Sequence, residues 1–210
     1  MAEENVINFN QDPEDGDILK LAREYEFEGE KISELDFSGF DDNVTLEDWT
    51  QAIDAMTRDG RVAAIPERDI QFCLYIAAAA THRPHEFFKT LKVFDARQVR
   101  DKVSSCFKVP DLEDGDILKL TREYEFEGEK ISELDFSGFE DKITTEDMIR
   151  ASDVLTRAGR MAVTPERDPQ YCAHIAEAVT GRPYKFLRTL KITDLKLMRN
   201  KVTTFFFVRA

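Results

Sequence analysis

Glu14-Asp-Gly-Asp-Ile-Leu-Lys-Leu21 is written a second time, 99 residues later, as Glu113-Asp-Gly-Asp-Ile-Leu-Lys-Leu120. The offset holds without a gap from Glu14–Val109 to Glu113–Val208, and about 59 of the 96 aligned positions are identical. A period of about 100 residues is too long for a solenoid unit, whereas a segment of that size can bury a small core of its own. The repeat therefore predicts a short N-terminal tail over 1–13, a first domain copy over 14–109 and a second over 113–210. The joint Lys108-Val-Pro-Asp-Leu112 is short and should hold the copies close together.

Within each copy the front reads as a hairpin. Leu19, Leu21, Tyr25 and Phe27 alternate with Lys20, Glu24 and Glu26, the period of a strand with one wet face. Gly29 supplies the positive φ of a tight turn, and Lys31–Phe37 returns. Ile32 is out of phase with Leu35 and Phe37, which predicts a bulge near Ser33-Glu34. Tyr124, Phe126, Gly128, Ile131, Leu134 and Phe136 keep the same pattern.

Everything after the hairpin reads as helix. Thr45–Asp48 and Thr144–Asp147 are helix starts with a capping hydroxyl and acids in the first turn. Gly60 and Gly159 are stops, Asp168-Pro169 is a cap followed by proline at the first helical position, and Arg83-Pro84 and Arg182-Pro183 open a short helix. Asp95 and Asp194 begin the last one. Each copy is thus one β-hairpin followed by a bundle of about four helices, and the fold class is α+β.

Composition narrows the function. Apolar residues make up 42% of the chain and charged residues 34%, enough for a packed core. No apolar run is long enough for a membrane span, and the acidic Met1–Asn5 start lacks the basic region of a signal peptide. These features lead to the expectation of a cytoplasmic protein with no membrane partner. A net charge of −13 argues against nucleic acid as a partner. The charge is also polarised. Glu14–Asp48 carries about −10 and Glu113–Asp147 about −9, while the rest of each copy is net positive. An acidic front and a basic back suit solvated faces, and they also suit head-to-tail association between copies or chains.

Chemistry-bearing patterns are sparse. Cys73, Cys106 and Cys172 have no paired zinc spacing and are too few for a disulfide framework. His82, His85 and His174 align with Gly181, Tyr184 and Tyr75, so no histidine is shared by the copies. Asp15-Gly16-Asp17 fails as a calcium loop because Gln11 and Pro13 take the first and third ligand positions. No glycine-rich phosphate loop is present. The reading is therefore no enzyme, no cofactor and no metal site. Two segments survive in both copies and place planar, bidentate donors on loops: Thr57-Arg58 with Gly60-Arg61, and Pro66–Asp69. The candidate partner-binding residues are accordingly Arg58, Arg61 and Arg68, with Arg157, Arg160 and Arg167 in the second copy. Phe205 and Phe207 join them, because three consecutive rings, Phe205–Phe207, cannot all face inward on one helix.

The order Tyr124–Phe136, Thr180–Pro183 and Leu190–Phe206, with weaker equivalents in the first copy, resembles the short tail assembly chaperones of long-tailed bacteriophages. In that family a strand–turn–strand hairpin with an Ile-x-x-Leu step precedes a small helical bundle. The family has a single domain of this size, so the doubled copy is a departure. The resemblance implies a non-enzymatic chaperone or scaffold that binds the tape-measure and tail-tube proteins in the host cytoplasm. The alternative is an acidic inhibitor or DNA mimic whose hairpin carboxylates occupy a basic site on a host protein.

Overall fold

The computed structural model describes residues 16–58, 65–108, 115–160 and 162–207. The 1–13 tail, the Gly60 stop and the joint beyond Lys108 lie outside these residues. The first copy runs β1 (Ile18–Phe27), β2 (Glu30–Asp36), α1 (Phe40–Asn43), α2 (Leu46–Arg58), a 3₁₀ turn at Pro66–Arg68, α3 (Ile70–Thr81), α4 (His85–Thr90) and α5 (Val93–Cys106). The second repeats it as β3 (Ile117–Phe126), β4 (Glu129–Asp135), α6 (Phe139–Lys142), α7 (Thr145–Arg157), a 3₁₀ turn at Pro165–Arg167, α8 (Pro169–Thr180), α9 (Tyr184–Leu187) and α10 (Ile192–Phe207). The fold is α+β, with two separate antiparallel hairpins, each followed by helices.

The one-turn helices α1 and α6 add a fifth helix to each copy. Four residues are too short to show a period, and the turn forms because Phe40 and Phe139 are buried immediately after the hairpin. The caps read from the sequence are present. Thr144 accepts the Asp147 N–H while the Asp147 carboxylate accepts the Thr144 N–H, and Thr45 with Asp48 repeats this. Asp69 and Asp168 accept the first free N–H groups of α3 and α8. Helix α8 ends at Gly181 with φ of 69°, and α3 ends at the same point with His82 at φ of 53°.

The bulge lies on the first strand, opposite Ser33, and not on the return strand. Lys20 pairs with Glu34 and Tyr25 with Ile32, so four residues of β1 face one of β2. The reason is a carboxylate from elsewhere in the copy. Asp95, in the first turn of α5 and fully buried, accepts the Ala22 N–H at 2.6 Å and the Tyr25 hydroxyl at 2.6 Å. The Tyr25 oxygen in turn accepts the Lys92 N–H at 3.0 Å. A backbone donor released from the ladder must find a partner, and Asp95 is that partner. In the second copy Asp194 accepts from the Thr121 N–H, the Thr121 hydroxyl and the Tyr124 hydroxyl. Burial and the hydrogen bond to Asp95 push the Tyr25 hydroxyl above the usual tyrosine value, and Tyr124 is shifted the same way. With the bulge in place, Ile32, Leu35 and Phe37 all point inward.

The hairpin turn needs two positive φ values and not one: Glu28 at 50° and Gly29 at 81°, repeated at Glu127 and Gly128. Beneath the hairpins, Phe37, Phe72, Phe87 and Phe88 fill the first copy, and Phe136, Tyr171 and Phe186 the second. The buried side chains of both copies form one continuous apolar cluster. Helices α8 and α10 of the second copy pack across α2 and α1 of the first.

Candidate functional site

The two copies meet along a charged seam with an apolar floor. Helix α2 presents Leu46, Trp49, Ile53 and Met56, all buried, and α10 returns Ile192 and Leu195. Around this floor basic side chains of the second copy, one from its hairpin and the others from its helical part, meet acidic side chains of the first. Arg122 binds Asp41 and, at 3.0 Å, Asp42. Lys191 lies 3.4 Å from Asp42, and Arg188 2.9 Å from Glu47. Asp41 also accepts the Thr193 N–H at 2.9 Å, so the first copy caps the N-terminus of the second copy's last helix. The Lys191 and Arg122 contacts hold the Asp42 carboxyl below its ordinary value.

Deeper in the seam, Arg160 donates through Nε to Asp54 at 2.6 Å and through Nη1 to Asp168 at 3.0 and 3.2 Å. Its side chain is 2% exposed and that of Asp168 is 4% exposed. Burial works against the charge, yet Asp54 and Asp168 outweigh it and raise the guanidinium above its ordinary value. Arg199 pairs with Glu67, and its guanidinium carbon lies 4.7 Å from the Trp49 ring centroid. Lys196 donates to the Cys106 carbonyl and lies over the Phe107 ring, and burial lowers its ammonium below the usual lysine value.

At one end the seam opens into a small cleft of about 50 Å³ with one side to solvent. Trp49, Ile53, Met56, Pro66 and Pro169 line it together with the paired Arg160 and Arg199, and the exposed Arg167 stands at its rim. Val163 stands at the mouth, 71% exposed.

The residues singled out from the sequence are dispersed over the structure. Arg160 is spent inside the chain, and the partner it faces is the first copy. Arg167 rims the cleft, with its guanidinium carbon 5.3 Å from the ring centroid of the half-exposed Phe207. Arg68 lines a neighbouring depression with Ile65, Phe107 and Arg199. Arg58 and Arg157 end α2 and α7 on exposed positions, and Arg157 lies 3.8 Å from Asp153. Phe205 is half-buried and stacks on Phe139 at 4.2 Å between centroids. Arg61 lies outside the described residues. Sequence reasoning missed Trp49, Asp54, Glu67 and Arg199 as members of one site. No signal along the chain groups them, because Trp49, Asp54 and Glu67 meet the second copy only through the packing of the two copies.

Two cysteines and two histidines are packed within the copies. Burial pushes the Cys73 and Cys172 thiols up to about 12, and each lies against the backbone carbonyl of Glu67 or Glu166. His85 stacks on Tyr75 at 3.7 Å and His174 on Tyr184 at 4.3 Å. These are the same two positions with histidine and tyrosine exchanged, which explains why neither histidine aligns with another. Among the described residues no group of three or more His, Cys, Asp or Glu is placed to hold a metal ion. No described helix is long and apolar enough to cross a membrane. Comparison with known protein families, curated proteins and solved structures finds no match.

Proposed function

We propose that the protein is a non-enzymatic assembly chaperone or scaffold of the phage tail type, acting in the host cytoplasm on the tape-measure and tail-tube proteins. The observation that supports this reading is the cleft at the seam. Its apolar floor can receive a small side chain from an amphipathic client helix, and the exposed Arg167 at its rim can bind a carboxylate flanking that side chain. A long tape-measure helix offers such side chains repeatedly, and an acidic body bound to it opposes aggregation.

The acidic-mimic reading has less support. Phosphate imitation needs unpaired carboxylates, but several on the hairpins are neutralised locally. Glu24 binds Lys31, Glu30 binds Arg83, Glu123 binds Lys130 and Glu129 binds Arg182. Arg83 holds the Glu30 carboxyl below its ordinary value, and Arg182 does the same to Glu129.

The test is co-expression with the tape-measure protein, followed by co-purification and measurement of affinity. Val163→Asp, on an exposed residue at the mouth, is expected to weaken the complex at least about tenfold, because it places a carboxylate where an apolar side chain docks. Reversing the hairpin charges at Glu26 and Glu125 should leave it nearly intact. No complex with the tape-measure protein, or loss of binding only with the hairpin variant, would overturn the proposal.

A further inference from the structure

The seam between the copies is a heterologous contact: the back of one unit sits on the front of an equivalent unit. Such a contact leaves one front and one back unused. In this chain these are the front of the second copy, on α6, α7 and the 3₁₀ turn at Pro165–Arg167, and the back of the first, on β1, α4 and α5. The repeat makes them directly comparable with the surfaces already joined.

Every charge of the seam has a like-signed counterpart in the sequence of the other copy. Arg122, Arg188, Lys191 and Arg199 correspond to Arg23, Lys89, Lys92 and Arg100. Their acidic partners Asp41, Asp42, Glu47 and Glu67 correspond to Glu140, Asp141, Glu146 and Glu166. The buried pair Arg160–Asp54 corresponds in sequence to Arg61, which lies outside the described residues, and Asp153. The unused faces are also uncovered. Val93 is 76% exposed where its counterpart Ile192 is 0% exposed, and Ile149 on α7 is 56% exposed. Lys92, Arg97, Glu140, Asp141 and Glu146 all face solvent.

We infer that the protein self-associates head to tail, the front of the second copy in one chain receiving the back of the first copy in the next. The occupant is a second copy of this chain, because the two unused surfaces complement each other in the register that the seam displays. Repetition of one heterologous step yields a ring if the rotation closes and an open helical assembly if it does not. The contact between chains is weaker than the one within a chain. Ile192, Leu195 and Leu197 become Val93, Ala96 and Gln98 on the back, while Leu46, Trp49 and Ile53 become Thr145, Met148 and Ser152 on the front. With its apolar anchors reduced, the contact rests on charge, and so it is reversible and sensitive to salt.

Sedimentation velocity on the full chain tests this directly. Mass is expected to rise with protein concentration at low ionic strength and to fall back to monomer well above about 0.15 M salt, where exposed pairs are screened. Asp141→Arg with Glu146→Arg disables the front, and Lys89→Gln with Lys92→Gln disables the back. Each variant alone should associate at least about tenfold more weakly. An equal mixture retains one working front and one working back, so it should form dimers and stop there. All substituted positions are exposed and outside the intramolecular seam, and an unchanged thermal midpoint confirms that each variant is folded. Wild-type protein that stays monomeric at low salt, variants that associate as wild type does, or a mixture that forms no dimer would each overturn the inference.

Discussion

Replacing Arg160 with methionine should be among the most damaging single changes available. The side chain is 2% exposed and holds two carboxylates that differ in burial. Asp168 is 4% exposed, and its Oδ1 also accepts the Gln170 and Tyr171 N–H groups at the start of α8. Asp54 is 28% exposed and can regain water. Removing one partner of a buried pair leaves the other charge uncompensated, which costs about 3–5 kcal/mol. The Asp54 arm, partly solvated, contributes only about 0.5–1 kcal/mol of this. Asp54→Ala should therefore be mild, Arg160→Met severe, and the double variant little worse than Arg160→Met alone. Urea unfolding followed by far-UV circular dichroism, with linear extrapolation to water, measures all three. A cost below about 1 kcal/mol for Arg160→Met would refute the argument, because Asp168 would then have found solvent or another donor.

Glu28→Asn and Glu127→Asn should each stabilise the protein by about 0.5 kcal/mol, since asparagine adopts the positive φ of these turn positions more readily than glutamate; a shift to lower urea midpoint would show that the turn is not strained. Stability should begin to fall as pH drops below about 6.5, the ordinary histidine value, because burial holds His85 and His174 below it and the unfolded chain binds protons first. Their contribution is complete above that pH and is lost as pH falls toward the folded-state values, and Phe at both positions should flatten the slope. A second, steeper loss is expected below about pH 4, where Asp36, Asp42, Asp135 and Asp147, all held below the usual carboxylate value by hydrogen bonds or ion pairs, take up protons. Residues 1–110 and 111–210 expressed separately should each unfold cooperatively, the second half less stably than in the intact chain because Ile192 and Leu195 lose their cover; absence of a cooperative transition in both would show that neither copy is autonomous.

Local features were legible in the residues because local physics decides them. The duplication is read by matching letters 99 positions apart, and the strand alternation, the capping threonines and aspartates, and the Asp168-Pro169 start depend on neighbours within about four positions, so these signals survive in a single string of letters. The one-turn helices were not legible because four residues carry no period. The bulge was legible as a phase error in Ile32 but was assigned to the wrong strand, because its place is set by Asp95, 73 residues away from the backbone donor at Ala22. Glu28 in a left-handed conformation was hidden in the same way, behind a glycine that accounted for only half the turn.

The seam shows the same division at the level of the site. The sequence by itself determined that each copy has an acidic front and a basic back, since charge is a sum over residues and needs no coordinates. Only the tertiary structure decided which front meets which back, that Arg160 is consumed in that meeting while Arg167 remains at the cleft rim, and that the two histidine–tyrosine stacks are one device written in opposite orders. Pairings between residues about 100 positions apart depend on how two folded surfaces fit, and that fit is a property of shape and burial that no spacing along the chain encodes.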